Sequence, residues 1–225
     1  MHVPETELTP LQRLLFAYAP AKHRAVYGAI FALDNRCAAI LRGTNEVMLG
    51  QMRLAWWRDA IGKPATDRPQ GDPVLGALSG MEKQGLDLDA LVPVINAWEL
   101  LLVNEELTHE QLGDYAAQRG GTIFSVLNRH IVNEACVEQI SQVGSFWALW
   151  DLARHSIDDG MRRGLMDRLQ TEQAANAGLK LPRSLRPLSI LKKLADRDLR
   201  KGSVDEPIMR PATAAQIIWH GVTGL

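Results

Sequence analysis

Helix start and stop signals recur along the whole chain, and no segment shows the pattern of a convincing strand. Thr9-Pro10 is typical of an N-cap followed by the first helical residue, and Gly43 is placed to end a later helix. Asp72-Pro73 marks another helix start, and Thr108 to Gln111 has the form of a capping box. The 225 residues are therefore predicted to form one all-α domain.

The same signals predict the bounds of the individual helices. A Pro- and Gly-rich loop is expected at 63–73, and the tail at 203–225 is the least defined part of the chain. The predicted helices cover approximately residues 10–20, 21–42, 45–61, 73–84, 89–106, 110–131, 134–156, 161–177, 184–200 and 212–220.

The composition is that of an ordinary globular protein: 46% of the residues are hydrophobic, 23% are charged, and the formal net charge is −1. This balance gives no reason to expect nucleic acid as a partner. No apolar run reaches the roughly 18 residues of a membrane span, and the acidic N-terminus lacks the features of a signal peptide. Cys37 and Cys136 are predicted core residues, which favours a reducing, cytoplasmic location.

Asp34 lies in the mostly apolar segment FALDNRCAAILRG, residues 31–43. In a helix it falls on the same side as Leu33 and Cys37, so its carboxylate is predicted to point toward the core. Burying an unpaired carboxylate is costly, and Asp34 therefore needs a partner, a proton or a ligand.

Three other segments each have a structural and a functional interpretation. Gly120-Gly121 interrupts a helical pattern, either for close helix contact or for clearance around a ligand. In MRLAWWRDAI one of Trp56 and Trp57 is predicted to lie in the core and the other at the surface. In WDLARHSIDDGMRR, residues 150–163, acids, a histidine and an arginine share one helical face or helix end. Taken alone, a solvated helix end is the favoured interpretation of that segment.

Together these segments resemble the squalene/phytoene synthase family, whose members join prenyl diphosphates head to head on the all-α isoprenoid synthase fold. The resemblance covers roughly residues 14–165 and depends on RLAWWRDAI followed by GDPVLGAL, on YAAQRGGT, and on a tyrosine before the first acidic motif. It implies a single-domain helical bundle around a central apolar cavity. It also implies a prenyl diphosphate or another isoprenoid or lipid as ligand, with substrate-binding roles for Tyr27, Asp34, Tyr115, Gly121, Thr122, Asp151, Arg154, His155, Asp158 and Asp159.

The two acidic motifs of the family are incomplete in this chain. A DxxxD motif puts two carboxylates on one helix face, where they bind the Mg²⁺ ions that hold the diphosphate. Ala38 replaces the second acid of the first motif, and His155 replaces the first acid of the second motif. Asp34 and Asp159 remain as the candidate catalytic and metal-binding residues. We expect Mg²⁺ as a cofactor only if activity survives, and otherwise we predict that Asp34 pairs with a cation, either Arg154 or protonated His155.

FALDNRCAAI and MRLAWWRDAI look closer to relatives that lack the acidic motifs, such as the mitochondrial assembly factor for respiratory complex I. Three functions are therefore open. The first is a pseudoenzyme with an isoprenoid- or lipid-binding cavity and weak or absent prenyl transfer. The second is an active Mg²⁺-dependent head-to-head prenyltransferase with altered motifs. The third is a non-catalytic helical assembly or interaction factor.

The segment 180–201 carries eight basic residues against two aspartates, a net charge of +6. Its leucines recur at helical spacing, so an amphipathic helix is predicted. Such a helix can lie on an anionic membrane surface, which would make a cytoplasmic protein peripheral to the membrane. A packed bundle helix with a solvated basic face is the favoured alternative.

Overall fold

The structure is a computed structural model that describes residues 3–104, 106–132, 137–176, 178–205 and 207. These residues contain no strand, and the all-α prediction is confirmed. Cys136 and the helix predicted at 212–220 lie outside the described residues. The α-helices are α1 (Pro10–Ala17), α2 (Arg24–Arg42), α3 (Val47–Gly62), α4 (Pro73–Glu82), α5 (Val92–Val103), α6 (His109–Ala116), α7 (Thr122–Ile131), α8 (Val137–His155), α9 (Asp159–Asn176) and α10 (Arg186–Lys201).

Side-chain caps explain where several helices begin. Thr9 and Thr108 each form a capping box with the glutamine three residues later, and Asp72 caps the first turn of α4. The start of α3 differs from the prediction, because its N-cap is Glu46 and no side chain caps the first turn. Thr44 Oγ1, just before the helix, accepts a hydrogen bond from the backbone N–H of Glu46.

A π-helical segment, Ala117–Gly121, divides the helix predicted over 110–131 into α6 and α7. A Cβ atom on Gly120 would lie 2.0 Å from the carbonyl oxygen of Gly144 in α8. One on Gly121 would lie 2.7 Å from Ser141 Oγ. Close packing against α8 therefore accounts for both glycines. The same segment places Arg119 inside the bundle, where it is buried.

Aromatic rings fill the interior between α1, α2, α7 and α8. The ring centroids of Phe16 and Phe31 are 5.2 Å apart, and Trp147 contacts Phe31 at 5.6 Å and Phe124 at 5.5 Å. All four side chains are buried. Ring contacts thus link four aromatic side chains from α1, α2, α7 and α8 inside the bundle.

None of the helices in the described part of the chain is long and apolar enough to cross a membrane.

Candidate functional site

Asp34 is the centre of a closed network of hydrogen bonds on the buried face of α2. Its side chain is almost completely shielded from solvent, with 1% of the residue exposed. Arg119 donates from Nε to Oδ1 and from Nη2 to Oδ2, each at 2.9 Å, and Trp98 donates from Nε1 to Oδ1 at 2.7 Å. Bidentate pairing of this kind combines charge with a fixed geometry. The predicted cationic partner exists, but naming it as Arg154 or His155 was wrong.

Arg119 also joins Asp34 to the second acidic motif. Its Nη2 atom lies 2.7 Å from Asp151 Oδ2, and its Nη1 atom donates to the Tyr115 hydroxyl at 2.7 Å. The guanidinium carbon lies 4.5 Å from the ring centroid of Trp98 and 4.9 Å from that of Trp147. One buried cation is therefore held between two carboxylates and the faces of two indole rings.

The electrostatics of this network keep Arg119 charged. Burial by itself disfavours the charged guanidinium, but Asp34, Tyr115 and Asp151 together raise the pKa of Arg119 well above its ordinary value. Burial also raises the pKa of the Tyr115 hydroxyl, so that this group stays protonated. Because Arg119 stays charged, it supplies one positive charge to the two carboxylates that it contacts.

The second motif is split between the network and the surface. Asp151 meets Arg119 inside, whereas His155 is largely exposed and its Nδ1 lies 2.7 Å from the backbone oxygen of Asp151. Asp158 lies at the start of α9, where Oδ1 accepts a hydrogen bond from the backbone N–H of Met161. Asp159 is exposed and lies 3.3 Å from Arg162. The structure brings Asp34 and Asp151 together around Arg119, while Asp158 and Asp159 lie at a solvated helix end.

Arg154 belongs to a second buried network, which attaches α10 to α8. Its Nη1 atom donates to Asp198 Oδ2 at 2.8 Å and to the backbone oxygen of Val204 at 2.6 Å. Trp150 Nε1 donates to the same Asp198 oxygen at 3.0 Å, and Arg197 donates to the other. Asp198 is completely buried. This carboxylate resembles Asp34 in being held by an arginine and an indole N–H.

The remaining predicted residues contribute to packing in this structure. Tyr27 is fully buried and donates from its hydroxyl to the backbone oxygen of Ser184 at 3.2 Å. Tyr115 contacts the guanidinium of Arg119, and Gly121 lies against α8. Thr122 Oγ1 lies 3.5 Å from the backbone oxygen of Ala117, within the same helical segment.

The residues present do not fit a Mg²⁺ site of the kind the motifs imply. Mg²⁺ needs several oxygen ligands in octahedral geometry and retains some of its water. Both oxygens of the buried Asp34 side chain accept hydrogen bonds from protein donors, and Ala38 offers no ligand. Among the described residues no group of three or more His, Cys, Asp or Glu side chains is arranged to bind a metal ion.

Sequence reasoning missed Arg119 and Trp98. Arg119 lies within the quoted YAAQRGGT segment, four residues after Tyr115, so the two fall on neighbouring positions of a helix face. The sequence signal that could have identified Arg119 was its position as a charged residue among small neighbours. Trp98 lies in an apolar helix, α5, where nothing in the sequence distinguishes an indole that donates to a carboxylate from an ordinary core residue.

A pocket of about 290 Å³ lies away from these networks, between the C-terminal ends of α3 and α4. Its lining includes Lys63 and Asp89, together with the ion pair between Arg68 and Glu82. Opposite charges line it, and Glu82 compensates the buried Arg68 side chain.

The fold is that of a solved structure described as a dehydrosqualene synthase in complex with ligand, with a TM-score of 0.72 at 14% sequence identity. The match covers 96% of this chain and 92% of that chain. The squalene/phytoene synthase family model matches residues 13–168, and the chain belongs to this family. A search of curated proteins found no match.

Proposed function

We propose that this protein is a non-catalytic member of the squalene/phytoene synthase family that acts by binding to other macromolecules. The observation that carries the proposal is the position of Arg119, whose guanidinium lies between Asp34 of the first motif and Asp151 of the second. Prenyl transfer in this family is expected to need Mg²⁺ ions on these motifs. In this chain an internal cation takes that electrostatic role.

Displacing Arg119 to admit Mg²⁺ would be costly. The guanidinium would have to leave two carboxylates and two indole faces, and a buried charge without partners is strongly unfavourable. Even then Ala38 and His155 would supply no carboxylate where the motifs have one. A neutral imidazole is a poor ligand for Mg²⁺, which prefers oxygen.

An isoprenoid- or lipid-binding interior is also disfavoured. The rings of Phe16, Phe31, Phe124 and Trp147 are linked by contacts, so an isoprenoid chain bound between α1, α2, α7 and α8 would have to displace them. We therefore favour the assembly or interaction function over the lipid-binding one. The likeness of FALDNRCAAI and MRLAWWRDAI to relatives without acidic motifs supports the same choice.

The proposal assigns the basic segment 180–201 to packing rather than to membrane contact. Lys192 and Arg197 are buried on α10, and Lys192 pairs with Asp196 at 2.8 Å. The exposed basic residues of this helix are confined to Lys193 and the last turn. A cytoplasmic location stays part of the proposal, as expected from the sequence.

The test is incubation with farnesyl or geranylgeranyl diphosphate, Mg²⁺ and NADPH, with release of diphosphate and organic products measured. A dehydrosqualene synthase serves as the positive control. We expect no diphosphate release, and no Mg²⁺-dependent binding of either substrate in calorimetry.

Diphosphate release that is abolished by Asp159→Asn, but not by Asp167→Asn, would contradict the proposal. Both aspartates are exposed on α9, so neither substitution should disturb the fold. Such a result would favour an active prenyltransferase with altered motifs.

A further inference from the structure

An apolar stripe runs along the exposed face of α3. We use the name α3 stripe for Met48, Met52 and Trp56, which are 74%, 64% and 42% exposed. Their i, i+4, i+8 spacing puts them on one side of the helix. The opposite side is buried and contains Leu54 and Trp57.

Further exposed apolar residues lie on α3 and at the end of α5. Val47 and Leu49 flank the α3 stripe, and Val103 is exposed at the end of α5, the helix against which α3 packs. Single exposed apolar side chains are normal, but a group of this size marks an interaction surface. Methionine and tryptophan are also enriched at the centres of protein interfaces.

We propose that the α3 stripe binds a second copy of this chain in an antiparallel, two-fold symmetric helix pair. The stripe is self-complementary about Met52. A two-fold axis through Met52 places Met48 opposite Trp56 of the partner copy, and Trp56 opposite the partner's Met48. The two Met52 side chains then meet on the axis. Methionine sulfur packs favourably against aromatic rings, so both outer contacts join well-matched groups.

The charges at the ends of the stripe fit the same arrangement. The axis through Met52 places the exposed Asp59 opposite the partner's residue 45, just before the start of α3. That helix start has no side-chain cap. The backbone N–H groups of an uncapped first turn attract a carboxylate, so each copy of Asp59 would lie near the positive end of the partner helix.

The proposal does not depend on whether prenyl transfer survives, because the stripe lies on the surface and the Arg119 network lies inside. An interface centred on one helix pair falls at the small end of stable interfaces, below about 1,200 Å² in total. We therefore expect reversible dimerisation in the micromolar concentration range.

Sedimentation velocity of the full chain across the micromolar range tests the proposal. We expect a concentration-dependent dimer for the wild type. Met52→Glu should weaken it by about 100-fold or more, because two like charges meet on the axis. Ile157→Glu is the matched control, since Ile157 is an exposed apolar residue outside the stripe, 97% exposed. Circular dichroism verifies that both variants are folded.

A mixing experiment tests the symmetry directly. Met52→Glu and Met52→Lys should each be monomeric alone and should form a heterodimer when mixed, because opposite charges then face each other. A wild type that is monomeric at every concentration would overturn the proposal and leave a different protein as the occupant of the stripe. Equal dissociation by Met52→Glu and Ile157→Glu, or no heterodimer on mixing, would overturn it as well.

Discussion

Arg119→Met is the substitution that most directly tests the closed centre. It removes the cation and keeps an unbranched apolar side chain between the indole rings of Trp98 and Trp147. Asp34 would lose two of its three hydrogen bonds and keep only the one from Trp98. Asp151 is partly exposed, so water can replace the contact that it loses.

The expected loss follows from the burial of Asp34. Removing one partner of a buried ion pair typically costs about 3–5 kcal/mol, because the other charge is left uncompensated in a dry environment. Domains of this kind unfold with a free energy of about 5–15 kcal/mol, so the loss is large but measurable. Arg58→Met is the control: Arg58 pairs with Glu99 near the surface, where such pairs contribute about 1 kcal/mol or less.

A second substitution in the same network distinguishes a charge effect from a packing effect. In the wild type, Asp34→Asn should destabilise the protein by about 1–3 kcal/mol, because it weakens charge-assisted hydrogen bonds from Arg119. In the Arg119→Met background the same change removes an uncompensated buried charge. There it should increase the free energy of unfolding by about 1 kcal/mol or more.

The assay is urea-induced unfolding followed by circular dichroism, with the four proteins of the cycle compared at a common slope. A reversal in the sign of the Asp34→Asn effect between the two backgrounds is the expected result. If Asp34→Asn destabilises both backgrounds equally, Arg119 does not compensate Asp34, and the argument for an internal cation is refuted.

Two further predictions concern packing and pH. Gly120→Ala should strongly lower the midpoint of thermal unfolding or prevent folding, because its Cβ would lie 2.0 Å from the backbone oxygen of Gly144. The control Gly164→Ala has open space around it and should leave the midpoint unchanged or raise it. An equal effect of both substitutions would contradict the close contact. The hydrogen bond from Arg68 lowers the pKa of Glu82 below its ordinary value of 4.5. The stabilisation by Glu82 is therefore present above pH 4.5 and is lost as the pH falls through the lowered pKa. Glu82→Gln should therefore be less stable than the wild type at neutral pH and equally stable in strong acid. A difference in the free energy of unfolding that does not shrink on acidification would count against the ion pair.

Local chemistry in the sequence predicts the helices well. Capping at Thr9, Asp72 and Thr108 is confirmed because a cap hydrogen bond involves residues only two or three positions apart. The region predicted to resemble the family, roughly 14–165, agrees with the matched residues 13–168. The missed π-helical segment at 117–121 depends on the approach of α8, a contact between residues far apart in the chain.

The candidate site was predicted in part. The sequence identified Asp34 as a buried acid that needs a cationic partner, because an apolar helix face and the cost of burying charge require one. The partner was misassigned because the sequence does not show which of several arginines reaches it. Arg154 was a reasonable choice, but its side chain is held by Asp198 from α10, 44 residues further along the chain.

The sequence by itself therefore determined the helical class, most helix starts, the family resemblance and the burial of Asp34, since these depend on short-range spacing and on side-chain polarity. Only the tertiary structure decided that Arg119 pairs with Asp34, that the rings of Phe31 and Trp147 meet and that the α3 stripe stays exposed. Each of these features depends on which faces of helices far apart in the chain are packed together. The incomplete DxxxD motifs show that carboxylates are missing, and the structure shows that Arg119 lies between two of the acids that remain, Asp34 and Asp151.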